Sequence, residues 1–115
     1  MIKTLLLTSV TILLLVGCQD KPYRHFELGN WYYEKGLYDD AILEYRDVVR
    51  MMSSNPTSMP REQLNTVAKA HYNLAVSYVQ KGWMDEARRE ADTAFSLWPS
   101  DDNRELVLNL KEPQQ

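Results

Sequence analysis

The chain has 115 residues, with 13 Lys and Arg against 16 Asp and Glu, for a formal net charge of −3. That length allows one domain at most. An acidic balance with no basic cluster makes DNA, RNA and anionic lipid headgroups poor partners, and the lone cysteine excludes an intramolecular disulfide and a cysteine-rich zinc site.

Met1-Ile2-Lys3 is a short basic start, and Thr4 to Val16 carries no charge and is mostly Leu, Ile and Val. The segment has the length of a secretion h-region and falls short of the roughly 20 residues of a comfortable membrane span. It ends in Leu15-Val16-Gly17-Cys18.

Beyond Cys18 the chain reads as helix throughout, because no stretch shows a sustained apolar-polar alternation. The spacing predicts helices over Pro22–Lys35, Leu37–Ser53, Pro60–Lys81 and Trp83–Leu97, with a weaker terminal helix over Asp102–Lys111. Ile42, Tyr45, Val48, Val49 and Met52 follow the 3.6-residue period of a one-faced helix. Asp39 and Asp40 fall in its first turn, and Arg46 and Arg50 further along, which suits the helix dipole. Leu64, Val67, Ala68, His71, Leu74, Ala75 and Tyr78 form a second stripe. A third runs Ala87, Ala91, Ala94, Phe95 and Trp98.

Gly36 and Gly82 each end a periodic stretch, as left-handed C-cap glycines do. Pro22 and Pro60 stand where helices begin, and Pro99 where one stops. Asn55 to Pro60 is the one obvious loop.

The chain is similar to itself. In Leu28-Gly29-Asn30-Trp31-Tyr32-Tyr33-Glu34-Lys35-Gly36-Leu37-Tyr38-Asp39-Asp40-Ala41 and Leu74-Ala75-Val76-Ser77-Tyr78-Val79-Gln80-Lys81-Gly82-Trp83-Met84-Asp85-Glu86-Ala87, the Leu, Tyr, Lys-Gly, Asp and Ala recur at one spacing. The offset is 74 − 28 = 46 residues. Gly29, Ala75, Ala41 and Ala87 lack bulk where antiparallel helices must approach within about 8–10 Å. Tyr32 and Tyr78 fill the space alongside.

Two family resemblances follow from these residues. Leu15-Val16-Gly17-Cys18 resembles the lipobox of bacterial lipoprotein signal peptides, which implies an acylated Cys18 as the mature N-terminus. Loss of Lys3 with the signal peptide would take the formal charge from −3 to −4. Each buried acyl methylene contributes about 0.8 kcal/mol, so several chains anchor firmly. Gln19, rather than Asp, follows the cysteine. By enterobacterial sorting this implies the outer membrane, facing the periplasm, although Asp20 comes one place later.

The doubled segment resembles the tetratricopeptide (TPR) repeat, a helix-turn-helix of roughly 34 residues. Its Leu-Gly pair is met by Leu28-Gly29 and Leu74-Ala75, its Tyr by Tyr32 and Tyr78, its turn Gly by Gly36 and Gly82, and its small residue by Ala41 and Ala87. The implied fold is all-α: two TPR helix pairs and a C-terminal capping helix. The implied division is a signal peptide over 1–17, a lipidated tether over 18–21 and a first repeat over 22–55. An inter-repeat insertion over 56–67 and a second repeat over 68–101 follow, then a cap over 102–111 and a tail over 112–115. The insertion should lengthen the third helix by about two turns. Leu106, Val107 and Leu110 are the residues expected to cap the array.

His25 and His71 are the two histidines and stand at equivalent repeat positions, where the family usually has Trp. They are expected to pack between helices. A shared metal or proton-switch site is the sharper alternative. With no second Cys and no His three or four residues away, no metal ligand set is expected. Glycine-rich phosphate loops, Gly-x-Ser-x-Gly and His-Glu-x-x-His are absent from the sequence, so neither an enzyme nor a cofactor is expected.

The TPR resemblance implies a concave binding face from the first helix of each pair. Its lining would be Tyr23, Phe26, Asn30 and Tyr33, then Lys69, Tyr72, Val76 and Val79. Some TPR proteins clamp a C-terminal carboxylate there. Asn30 matches that clamp, but Phe26 stands where it needs Lys, so the clamp does not carry over. The expected function is a membrane-anchored protein-protein interaction module of the cell envelope, assisting assembly of a pilus, secretion or outer-membrane complex. The alternative is a self-associating structural lipoprotein whose groove is a homodimer interface.

Overall fold

A computed structural model describes residues 21–112. The signal-peptide segment, Cys18 and its tether up to Asp20, and the last three residues lie outside the described residues.

The described chain is all-α. Its helices are α1 (Pro22–Glu34), α2 (Tyr38–Met52), α3 (Arg61–Lys81), α4 (Met84–Leu97) and α5 (Asp101–Leu110). Every end falls within one residue of the span read from the sequence. At 21 residues, α3 is the longest of the five, its first turns being the apolar stripe that starts at Leu64. None of the described helices is long and apolar enough to cross a membrane.

Each helix packs chiefly on its neighbours in the chain: α1 on α2, α2 on α3, α3 on α4, α4 on α5. The tight turns that fold α1 back along α2, and α3 along α4, are the same structure used twice. Gly36 and Gly82 take φ of +74° and +75°, the left-handed region that a side chain disfavours. The Leu37 N–H donates to the Tyr32 carbonyl and the Gly36 N–H to that of Tyr33; the Trp83 N–H donates to the Tyr78 carbonyl and the Gly82 N–H to that of Val79. Both pairs follow the Schellman pattern, which satisfies carbonyls that a helix end would otherwise orphan. The apolar contact across the second turn is a stack of Trp83 on Tyr78, with ring centroids 5.8 Å apart.

The core runs through the array as two adjoining clusters. One gathers Ala41, Ile42, Tyr45, Leu74, Ala75, Tyr78, Ala87, Ala91 and Leu110. The other joins Val48, Met52, Met59, Val67 and Ala70. Ala41, Ala75, Ala87, Ala91 and Ala94 have no exposed surface, so the small residues do lie where helices meet. Leu106 and Val107 pack against the first cluster beside Leu110, as expected of a cap. Asn103 secures α5 to α4, its side-chain amide donating to the carbonyls of Ala94 (3.2 Å) and Trp98 (2.7 Å). Ser100 caps α5 by accepting from the Asn103 N–H.

Candidate functional site

The expected concave-face residues separate into three groups. Phe26 and Tyr33 are partly buried against the first core cluster. Phe26 meets Tyr45 edge-on with centroids 6.0 Å apart, and Tyr33 meets Tyr38 in the same way at 5.3 Å. Val79 packs on that cluster as well, and Val76 is half-buried. These side chains contribute part of their surface to the fold itself.

Asn30 forms the second group. Its Oδ1 accepts from the Tyr45 hydroxyl at 2.6 Å and from Asn73 Nδ2 at 3.2 Å. One amide oxygen therefore joins α1, α2 and α3. Tyr45 is 1% exposed, and burial pushes its hydroxyl pKa up to about 12, with the Tyr33 and Glu34 charges adding to the effect. The network keeps polar groups of the interior satisfied.

Lys69, Tyr72 and Tyr23 remain. Tyr23 is exposed in the first turn of α1. Lys69 and Tyr72 line an open cleft of about 300 Å³ between α3 and the start of α5, together with Asn65, Asn73, Trp98 and Asp102. The last four were not among the expected lining residues. Asn65, Lys69, Tyr72 and Asn73 occupy one face of α3 at spacings of three and four, a pattern visible in the sequence. That α5 would wall the other side was not visible there. Outside the cleft lining, the Arg61 guanidinium at the start of α3 lies 5.2 Å from the centre of the Trp98 ring, a cation–π contact.

The histidines carry a second feature. His25 Nδ1 lies 2.5 Å from Glu44 Oε2, and His71 Nδ1 lies 2.6 Å from Glu90 Oε2. Histidines and glutamates are both related by the 46-residue offset, 71 − 25 and 90 − 44. Each His sits between helices, as expected, and each is tied to the paired helix by a carboxylate that sequence reasoning missed. His25 also has Asp47 nearby, with Nδ1 4.0 Å from Oδ2. A wider cleft of about 690 Å³ brings Glu44, Asp47, His71 and Glu90 to one wall system with Leu43, Arg46 and Arg50.

No protein-family model matches the chain, and no curated protein matches it.

Proposed function

We propose that the protein is a lipoprotein of the bacterial envelope, anchored through an acylated Cys18, whose two helix pairs are TPR repeats that bind another protein. One observation carries the repeat reading. The Schellman turn at Gly36 and Gly82, the His–Glu tie and the fully buried alanines at 41 and 87 all recur at one offset. A duplicated helix pair that packs mainly on its chain neighbours builds an extended surface, and such surfaces serve recognition. The anchor rests on the Leu15-Val16-Gly17-Cys18 ending, and the outer membrane on Gln19.

Within this reading the partner is a peptide or helix of another envelope protein, held in the cleft between α3 and α5. Tyr72 and Trp98 offer apolar area with little entropy to lose, and Lys69, Asn65 and Asn73 offer hydrogen bonds. Assembly of a pilus, secretion or outer-membrane complex is the setting that suits a small tethered binder.

Crosslinking of the native lipoprotein in cells tests both halves. Cys18→Ser should release the protein from the membrane or leave it unprocessed. Lys69→Ala with Tyr72→Ala should abolish partner capture and leave helicity and anchoring intact. Full capture by a folded double variant would refute the cleft. Loss of self-association in that variant, seen by sedimentation, would favour a homodimer interface instead.

A further inference from the structure

The two His–Glu ties are alike in position and unlike in one neighbour. His25 on α1 faces two carboxylates of α2: its Nδ1 lies 2.5 Å from Glu44 Oε2 and 4.0 Å from Asp47 Oδ2. One donor atom from each of the three residues lies within 4.8 Å of the other two. Glu44 and Asp47 are three residues apart on a helix, so both carboxylates reach the imidazole from one side. In the second pair Thr93 stands in the place of Asp47, and its hydroxyl turns back to the Arg89 carbonyl at 2.9 Å. A tie between helices needs only the His and the Glu, as His71 and Glu90 demonstrate. The added carboxylate beside His25 gathers a second acidic group around one imidazole.

We propose that His25, Glu44 and Asp47 form a binding site for a divalent transition-metal cation of the Zn²⁺ or Co²⁺ class. The donor set is one imidazole nitrogen and two carboxylate oxygens. An imidazole ligand favours these ions over Ca²⁺ and Mg²⁺, which take oxygen donors. His25 and Glu44 side chains are 20% and 19% exposed and Asp47 is 40% exposed, so the ion would be sheltered by α1 and α2 with an open side for water. Donor-to-metal distances of about 2.0–2.2 Å place the donors roughly 3–3.5 Å apart, a short move for the three groups. Coordination through Nδ1 requires the ring proton to sit on Nε2. Arg50, which now donates to Asp47 Oδ1 at 3.2 Å, must share or release that carboxylate. Its side chain is 70% exposed and can turn into water.

The test uses the untagged full-length protein in detergent micelles, stripped with chelator. Zn²⁺ binding is followed by calorimetry and Co²⁺ binding by visible absorption. One cation should bind per chain and raise the melting temperature. His25→Gln and Asp47→Asn should each weaken binding by at least about tenfold, a scale reached even by the outer partners of metal ligands. His71→Gln should leave it unchanged. Asp47→Asn alters a surface position, so its loss of binding with unchanged helicity is separate from misfolding. Absence of saturable binding would overturn the proposal. So would binding that survives Asp47→Asn, or binding lost equally in His71→Gln.

Discussion

Gly29 exists to admit Tyr45: a Cβ at position 29 would stand 2.7 Å from the ring's Cε1 and 2.9 Å from its Cδ1. The ring cannot withdraw. It is 1% exposed, and its hydroxyl is fixed on Asn30 at 2.6 Å. In the second helix pair the same two positions hold Ala75 and Ala91, both without exposed surface. The two halves therefore make the same close approach with different residue pairs.

Gly29→Ala should lower stability by about 1–3 kcal/mol, the usual cost of overpacking. In a Tyr45→Ala background the same change should be neutral or add about 0.5–1 kcal/mol, because Ala is the better helix former. A double-mutant cycle by chemical denaturation measures the coupling. Equal effects in both backgrounds would show that Gly29 and Tyr45 do not compete for space.

Tyr45 also sets an alkaline limit. Burial, helped by the Tyr33 and Glu34 charges, raises its hydroxyl pKa to about 12, while an exposed phenol ionises near pH 10. Burial raises Tyr78 too, with the Glu90 charge adding to it. The folded state holds these protons more tightly than the unfolded state. The resulting stability is complete below about pH 10 and is lost as pH rises towards about 12, with Tyr45 accounting for about 2–3 kcal/mol. Tyr45→Phe should cost about 1 kcal/mol near neutral pH through the lost hydrogen bond. Its stability should then fall less steeply above about pH 10 than the wild type's. Parallel curves would remove burial of this phenol as the cause.

Helix register has its own test. Ala87 has no exposed surface, whereas the Arg89 side chain is 69% exposed. Ala87→Leu should lower stability by about 1–3 kcal/mol, and Arg89→Leu should change it by no more than about 0.5 kcal/mol. Thermal melts of the two variants suffice, and similar losses in both would contradict the register.

Helix ends and core stripes were legible in the sequence because their causes are local. Gly36 and Gly82 stop helices through their own backbone freedom, and Ala41 and Ala87 mark close approaches by their size. The polar groupings were not legible. His25 finds Glu44 at a separation of 19 residues, and Asn30 finds Asn73 at 43. A search three or four residues from each histidine cannot meet such partners. The binding face was readable only in part for a similar reason. Helical phase places Tyr33 and Tyr72 on comparable faces, but the packing of Tyr38 on Tyr33 and the approach of α5 to Tyr72 depend on tertiary contacts.

One amide ties the start of the last helix to α4. Asn103 Nδ2 donates to the Ala94 and Trp98 carbonyls at the end of α4, and the residue is 7% exposed. Asn103→Ala removes both side-chain bonds, leaving the Ala94 carbonyl with the Trp98 N–H and the Trp98 carbonyl with the Ser100 N–H, and should cost about 1–3 kcal/mol. Asn103→Asp should cost more at neutral pH, because a carboxylate has only acceptors to set against two carbonyl oxygens. A protonated Asp regains a donor, so this variant's carboxyl should have a raised pKa in the folded state. Its stability should therefore recover as pH falls through that raised value and be lost as pH rises through it. The wild-type and Asn103→Ala proteins should show no such recovery. Trp98 is one wall of the cleft and carries one of the two carbonyls, so tryptophan fluorescence should follow the recovery. An Asn103→Asp protein whose stability tracks that of Asn103→Ala across acid pH would show that the amide donor is not what holds α5 in place.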